Sequence, residues 1–288
     1  MNKYSIFDAH CDTLCRLCDE GGTILENTYN VDVAHMSKYK SYTQIFACFI
    51  APKYYSNAKA RFKQLKDCYN SSDFSGIKPM LSLEGGEVIE SLEDVFYLKE
   101  CGVRCATLTW NDSNSLAGGV LGDGGLSEFG KSVVRKMNDL DILVDVSHLN
   151  DQSFYDVARI STKPIIATHS SSRRLCENPR NITDEMFKII SESGGCVGVN
   201  FYPMFITGNE TCKICDVINH IEHFMSLDCN SVGLGSDFDG TDDCLPNGIG
   251  GTGDVYKIFD ELIKRGTDIK TIEKISHENF ERVFGEVR

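Results

Sequence analysis

Eight short apolar runs, spaced on average about 32 residues apart, constrain this chain more than any other feature. They fall at roughly 5–9, 44–51, 79–83, 103–109, 142–147, 164–168, 196–201 and 232–236. That spacing is the length of one strand–helix unit. Several runs are continuous rather than alternating, as expected of strands in a parallel sheet covered on both faces. Segments of helical period lie between most of them: Ala58 to Tyr69, Ser91 to Cys101, Ser127 to Leu140, Asp184 to Ser193 and Val217 to Leu227. Thr183 stands where it can cap the fourth of these, and Gly102, Gly194 and Gly195 stand where helices should stop. Eight alternations predict an α/β fold of the (β/α)8 TIM-barrel type. A single domain over residues 1–288 is expected, with two or three helices closing the chain after Asp254.

The apolar runs end on metal-binding residue types. His10 and Asp12 are two apart at the end of the first run, and on extended backbone such residues point to one side. Glu84, His148 and His169 end the third, fifth and sixth runs, and Asp237 ends the last. A barrel assembles its site from strand ends of this kind. One strand-end histidine is more often a satisfied polar residue than a ligand; five candidate ligands on one rim are a different matter. Three histidines with two carboxylates exceed the four ligands of an ordinary tetrahedral zinc. The set suits two Zn2+ ions sharing a carboxylate, with a hydroxide between them as the attacking group. Glu84 is expected as the bridge, His10 and Asp12 on one ion, His148 and His169 on the other. Asp237 is expected as the proton shuttle to the leaving amine, with Asp239 as the second choice. His35, His220, His223 and His277 read as structural.

The remaining composition narrows the partners. A net charge of −13 argues against nucleic acid and anionic lipid surfaces. No run of 18 apolar residues exists, and no secretory or anchor signal is seen, so a cytoplasmic protein is expected. Thirteen cysteines, an odd number scattered over helices and strands, read as reduced thiols rather than a disulfide framework. Cys15-x-x-Cys18 and Cys212-x-x-Cys215 could combine into a four-thiolate zinc site only if distant parts of the barrel met. The glycine-rich stretches 117–125 and 248–253 read as loops over the barrel mouth, not as phosphate cradles.

In order along the chain stand Asp8-Ala9-His10-Cys11-Asp12, Ser82-Leu83-Glu84-Gly85, Asp145-Val146-Ser147-His148, Thr168-His169-Ser170-Ser171, Pro179-Arg180-Asn181-Ile182-Thr183-Asp184, Gly235-Ser236-Asp237-Phe238-Asp239-Gly240 and Asn279-Phe280-x-Arg282-Val283. With these motifs the sequence resembles the membrane dipeptidase (renal dipeptidase) family of the amidohydrolase superfamily. The resemblance implies a two-zinc dipeptidase with ligands at His10, Asp12, Glu84, His148 and His169 and a catalytic aspartate at Asp237. It also implies that Arg180 binds the carboxylate end of a small dipeptide and that Tyr202 lies beside the substrate. One position departs: Leu108-Thr109-Trp110-Asn111 carries Trp110 where animal relatives place a histidine that steadies the carbonyl oxygen. Trp110, Asn111 or the metal would then polarise the carbonyl, unless Trp110 only walls the pocket.

The leading reading is hydrolysis of small dipeptides, including those with a D-residue on the C-terminal side. The alternatives are an amidohydrolase acting on a non-peptide amide, lactam or N-acyl amino acid, and an inactive metal-binding sensor module. A homodimer is the candidate assembly.

Overall fold

The computed structural model of the chain describes residues 3–286. Eight parallel strands form one sheet: β1 Ser5–Cys11, β2 Ser41–Phe49, β3 Lys78–Glu84, β4 Val103–Thr107, β5 Leu143–Asp145, β6 Ile165–Ile166, β7 Val197–Val199 and β8 Val232–Leu234. Their order is β6-β5-β4-β3-β2-β1-β8-β7. The seam between β6 and β7 is closed by a parallel bridge, Ala167 to Val197, where Ala167 N donates to Cys196 O and Gly198 N to Ala167 O. The result is the expected (β/α)8 barrel.

Close approach at this seam requires glycine. A Cβ on Gly235 would lie 1.7 Å from Thr168 O, and one on Gly198 would lie 2.2 Å from the same oxygen. No side chain fits there, because real Cβ contacts never come so close.

The five expected helices are present as Ala58–Ser71, Leu92–Glu100, Glu128–Asp139, Asp184–Glu192 and Ile214–Asp228. Thr183 caps the fourth, its hydroxyl accepting from Met186 N at 3.2 Å. Two further helices are present: Thr13–Glu20 directly after the first strand and Asp151–Ile160 after the fifth strand and the segment that carries His148. Their apolar faces are short and were not evident from period alone. His35 stands in a one-turn helix, Val33–Met36; the Asp32 carboxylate caps it by accepting from His35 N at 2.7 Å.

The later strands are shorter than their apolar runs. Val146 N still donates to Ile166 O of β6 at 2.7 Å, and past it the backbone bonds to side chains. Asp145 Oδ1 accepts from Ser147 N and Thr168 N, each at 3.0 Å, and Asp8 Oδ1 accepts from Ser236 N at 2.9 Å. These two buried carboxylates satisfy amides that a longer ladder would otherwise satisfy.

The opposite end of the barrel is plugged. Phe7, Ala9, Ile45, Cys105 and Leu143 pack with Phe280, Val283 and Phe284 of the terminal helix Asn279–Glu286. Phe7 stacks on Phe280 and Phe284 at 5.3 and 5.4 Å. Arg282 anchors this helix by donating to Gly194 O and Asn230 O. The open end, where the strands' C-termini emerge, is left for the site. Among the described residues no helix is long and apolar enough to cross a membrane.

Candidate metal centre and its cavity

All six strand-end residues singled out in the sequence converge at this open end. His10, Asp12, Glu84, His148, His169 and Asp237 are all buried. Backbone bonds fix the first and last strands to each other: Asp12 N donates to Phe238 O at 2.9 Å and Asp237 N to His10 O at 3.3 Å. Two overlapping donor clusters result, His10–Glu84–His169 and His10–Asp12–Asp237, each with its donor atoms within 4.8 Å of one another.

The Glu84 carboxylate divides the donors. Its Oε2 faces His10 Nε2 at 3.2 Å, and its Oε1 faces His148 Nε2 at 2.8 Å and His169 Nε2 at 3.7 Å. Asp12 Oδ2 lies on the His10 side, 3.3 Å from Nε2. His148 Nε2 and His169 Nε2 are only 3.0 Å apart.

The tautomers can be read from the outer partners. Asn111 Oδ1, which can only accept, is 2.9 Å from His148 Nδ1. The proton of His148 therefore sits on Nδ1, and Nε2 presents a lone pair. Thr168 commits its hydroxyl proton to Asp145 Oδ2 and receives His169 Nδ1–H at 2.8 Å. His169 Nε2 is thus bare as well. Burial pushes the His148 pKa down to about 4 and that of His169 well below its ordinary value, so both rings stay neutral. Two facing lone pairs in a buried site repel unless a cation lies between them.

The carboxylates carry the same message. Burial and the neighbouring Glu84 push Asp12 up to about 7. Burial raises Asp237, and Glu84 adds to the rise. Burial opposes the charge on Glu84, yet the charge and hydrogen bond of His10 hold its pKa well below the usual range. Asp12 Oδ1 is buried with no hydrogen-bond partner. Neutral imidazoles, crowded carboxylates and an unsatisfied carboxylate oxygen are the donor set of divalent metal ions.

Asp237 is held apart from the others. Its backbone is left-handed, φ 62°, as is that of His148, φ 71°. Asn200 Nδ2 donates to Asp237 Oδ2 at 2.8 Å, leaving Oδ1 at 3.8 Å from His10 Nε2. Asp239, the second choice from sequence, turns away: it accepts from Thr13, Asn30 N and Arg16. Gly240 packs against the site, where a Cβ would lie 2.3 Å from Asp12 Oδ2 and 2.6 Å from Asp237 Oδ1.

A cavity of about 400 Å³ opens over Glu84, His148, Asp12 and Asp237. Trp110 and Tyr202 line it; the Trp110 ring lies 5.4 Å from Phe49 and 6.2 Å from His148. Asn111 faces His148 and serves to orient it. Arg180 is buried behind the wall, donating to Ser170 Oγ and His169 O at 3.0 Å each, with Nε unpartnered. The cavity wall in front of it is Phe205, whose ring is 5.6 Å from the guanidinium.

Four positioning residues were not picked out from sequence: Asn200, Asn111 in its orienting role, and the Asp145–Thr168 pair. The available signal was a polar residue embedded in or ending an apolar run, which Asp145 and Asn200 both are. The remaining histidines are structural. His220 Nδ1 accepts from Ser172 N at 3.0 Å, and His223 pairs with Asp184 at 2.7 Å. All thirteen cysteines are free thiols, and neither metal cluster includes one.

The description Membrane dipeptidase (Peptidase family M19) matches residues 60–288. The chain belongs to this family. An uncharacterised protein encoded 5′ of pqqA in Klebsiella pneumoniae is 33% identical over 199 residues, 65% of this chain and 73% of that one. An uncharacterised dipeptidase of Schizosaccharomyces pombe is 34% identical over 219 residues, 72% of this chain; the match spans 53% of that protein's length. A metallopeptidase from Rhodobacter sphaeroides, solved with a phosphinate mimic of L-Ala-D-Ala, has the same fold. Its TM-score is 0.87, with 23% identity and 99% of each chain covered. The family match begins after His10 and Asp12; the pairing of β1 with β2 and β8 brings those two beside Glu84 and Asp237.

Proposed function

We propose that this protein is a binuclear zinc dipeptidase that hydrolyses the peptide bond of small dipeptides. The observation that carries it is the Glu84 carboxylate, with one oxygen toward His10 and the other toward two histidines whose facing Nε2 atoms are both bare. His10 and Asp12 would hold one ion, His148 and His169 the other, with Glu84 serving both. Membership of a metallopeptidase family supports a metal cofactor, and the nitrogen-rich donor set favours zinc. The ions supply Lewis acidity, polarising the scissile carbonyl and acidifying water.

The chain's own groups supply the rest. Asp237 Oδ1 takes a proton from the attacking water and gives it to the leaving amine nitrogen as the C–N bond breaks. Asn200 holds the other Asp237 oxygen, so the carboxylate does not rotate between these steps. Arg180, with an unused Nε–H, takes the substrate's terminal carboxylate once the Phe205 ring that stands between it and the cavity turns aside, and Tyr202 lines the same side. With Asn111 committed to His148, the Trp110 indole N–H is the protein donor available to the carbonyl oxygen. Acceptance of a D-residue on the C-terminal side is supported by the Rhodobacter neighbour's bound mimic.

A turnover screen of zinc-loaded protein against L,L and L,D dipeptides tests this reading. Hydrolysis of free dipeptides with release of both amino acids is expected. Turnover confined to lactams or N-acyl amino acids would replace it with the broader amidohydrolase reading, and bound metal without any turnover would favour a sensor.

A further inference from the structure

The cavity has a cationic wall, across the barrel from Arg180, which is itself buried behind Phe205. In the strand order β2 lies four places from β6, so the segment after β2 faces the segment carrying Arg180. Lys53 and Tyr54 lie in the turn Pro52–Asn57 that follows β2, and Arg61 lies on the next helix; all three line the cavity. The Tyr54 ring gathers both cations, with Lys53 Nζ 4.9 Å and Arg61 Cζ 4.4 Å from its centroid.

Arg61 is 3% exposed. Its two terminal nitrogens grip Asp19 at 2.7 and 2.9 Å, yet its buried Nε–H has no acceptor. Lys53 is exposed to the cavity and, among the described residues, has no carboxylate partner. Its neighbours differ: Lys59 pairs with Glu90 and Asp94, and Lys63 with Asp67. Asp19 offsets one of the two cations. A net positive charge is thus kept at one wall of a cavity in a chain of net charge −13. A buried guanidinium N–H without an acceptor is costly unless something else satisfies it.

We infer that this wall is the subsite for the substrate's N-terminal residue and selects an anionic side chain. The inference rests on the dipeptidase reading above. With the terminal carboxylate at Arg180 and the peptide bond over Glu84, the N-terminal residue extends toward β2. Lys53 then receives the side-chain carboxylate of a glutamyl or aspartyl residue, and Phe49 and Tyr54 cover its methylenes. The long, flexible lysine suits a charge at variable reach better than a fixed fork would.

The test compares L-Glu-L-Ala with its neutral isostere L-Gln-L-Ala on zinc-loaded protein, with L-Ala-L-Glu and L-Ala-L-Gln as the positional control. The expected result is a kcat/KM preference of about tenfold for glutamyl over glutaminyl, typical of a hydrogen bond to a charged group. The preference should shrink as salt rises, collapse toward unity in Lys53→Met and return in Lys53→Arg. Equal rates for the two N-terminal isosteres overturn the subsite while leaving the dipeptidase intact. A Lys53-dependent preference for the C-terminal glutamate instead also overturns it, because the residue would sit at the other end of the substrate. If no dipeptide is cut, the dipeptidase reading fails first. The same pairs are then compared as dissociation constants by calorimetry, and equal values dispose of the anionic subsite.

Discussion

His148 Nε2 and His169 Nε2 lie 3.0 Å apart, each stripped of its proton by a partner on the far side of the ring. The Thr168 hydroxyl is the relay that does this for His169, donating to Asp145 and accepting from Nδ1. Thr168→Val keeps the shape but removes the relay. It should leave the fold intact and weaken metal binding about 10–100-fold, the usual effect of losing a ligand's outer partner. Thr168→Ser should restore it. Competition with a chromogenic chelator measures both.

Glu84 faces both halves of the donor set. Protein purified without chelator should carry close to two divalent ions per chain, and Glu84→Ala should retain fewer than one. Because ions that bind only the folded state stabilise it by mass action, chelation should lower the wild-type Tm. It should leave that of Glu84→Ala nearly unchanged. Metal analysis and calorimetry read the two effects, and a single tight ion unchanged by excess zinc would end the two-ion account.

Asp237→Asn should keep both metals and lose about 10²–10⁴ in kcat, the range of general acid–base assistance. Asn200→Ala makes a finer test. Burial already raises the Asp237 carboxyl, and the Asn200 bond lowers it. Removing that bond raises the pKa further, so the carboxylate form needed to accept a proton appears only at higher pH. The acid limb of the kcat/KM profile should move to higher pH, with metal content unaltered.

Arg180 and a free substrate carboxylate should be interchangeable losses. Amidating the dipeptide and replacing Arg180 by Ala each remove one half of the same pair. Each should cost roughly 2–5 kcal/mol in kcat/KM, and together little more than either alone. Amidated dipeptides or tripeptides cut as fast as free dipeptides would assign Arg180 to structure only.

Gly240 leaves room for the Asp12 and Asp237 carboxylates. Gly240→Ala should displace them and reduce metal affinity and kcat together, while far-ultraviolet circular dichroism stays native. A variant with wild-type metal content and rate would show that the 238–240 loop yields more easily than its packing implies.

The chain alone determined its barrel and most of its rim. Apolar runs at a regular spacing can bury themselves only as strands of a covered parallel sheet, and His10, Asp12, Glu84, His148, His169 and Asp237 end those runs. Local chemistry also determined the Thr183 cap and the helix stops at Gly102 and Gly194, both with φ of 85°. Tertiary structure decided what depends on distance between strands. Which face of Glu84 meets which histidine follows from the closure of β6 onto β7, made by glycines whose lack of a Cβ no period reveals. The relay through Thr168 and Asp145, the grip of Asn200 on Asp237, and the gathering of Lys53 and Arg61 by Tyr54 join side chains through space. A sequence gives the residue types for such contacts; only packing gives the ångström separations that turn them into tautomers, shifted pKa values and a charged wall.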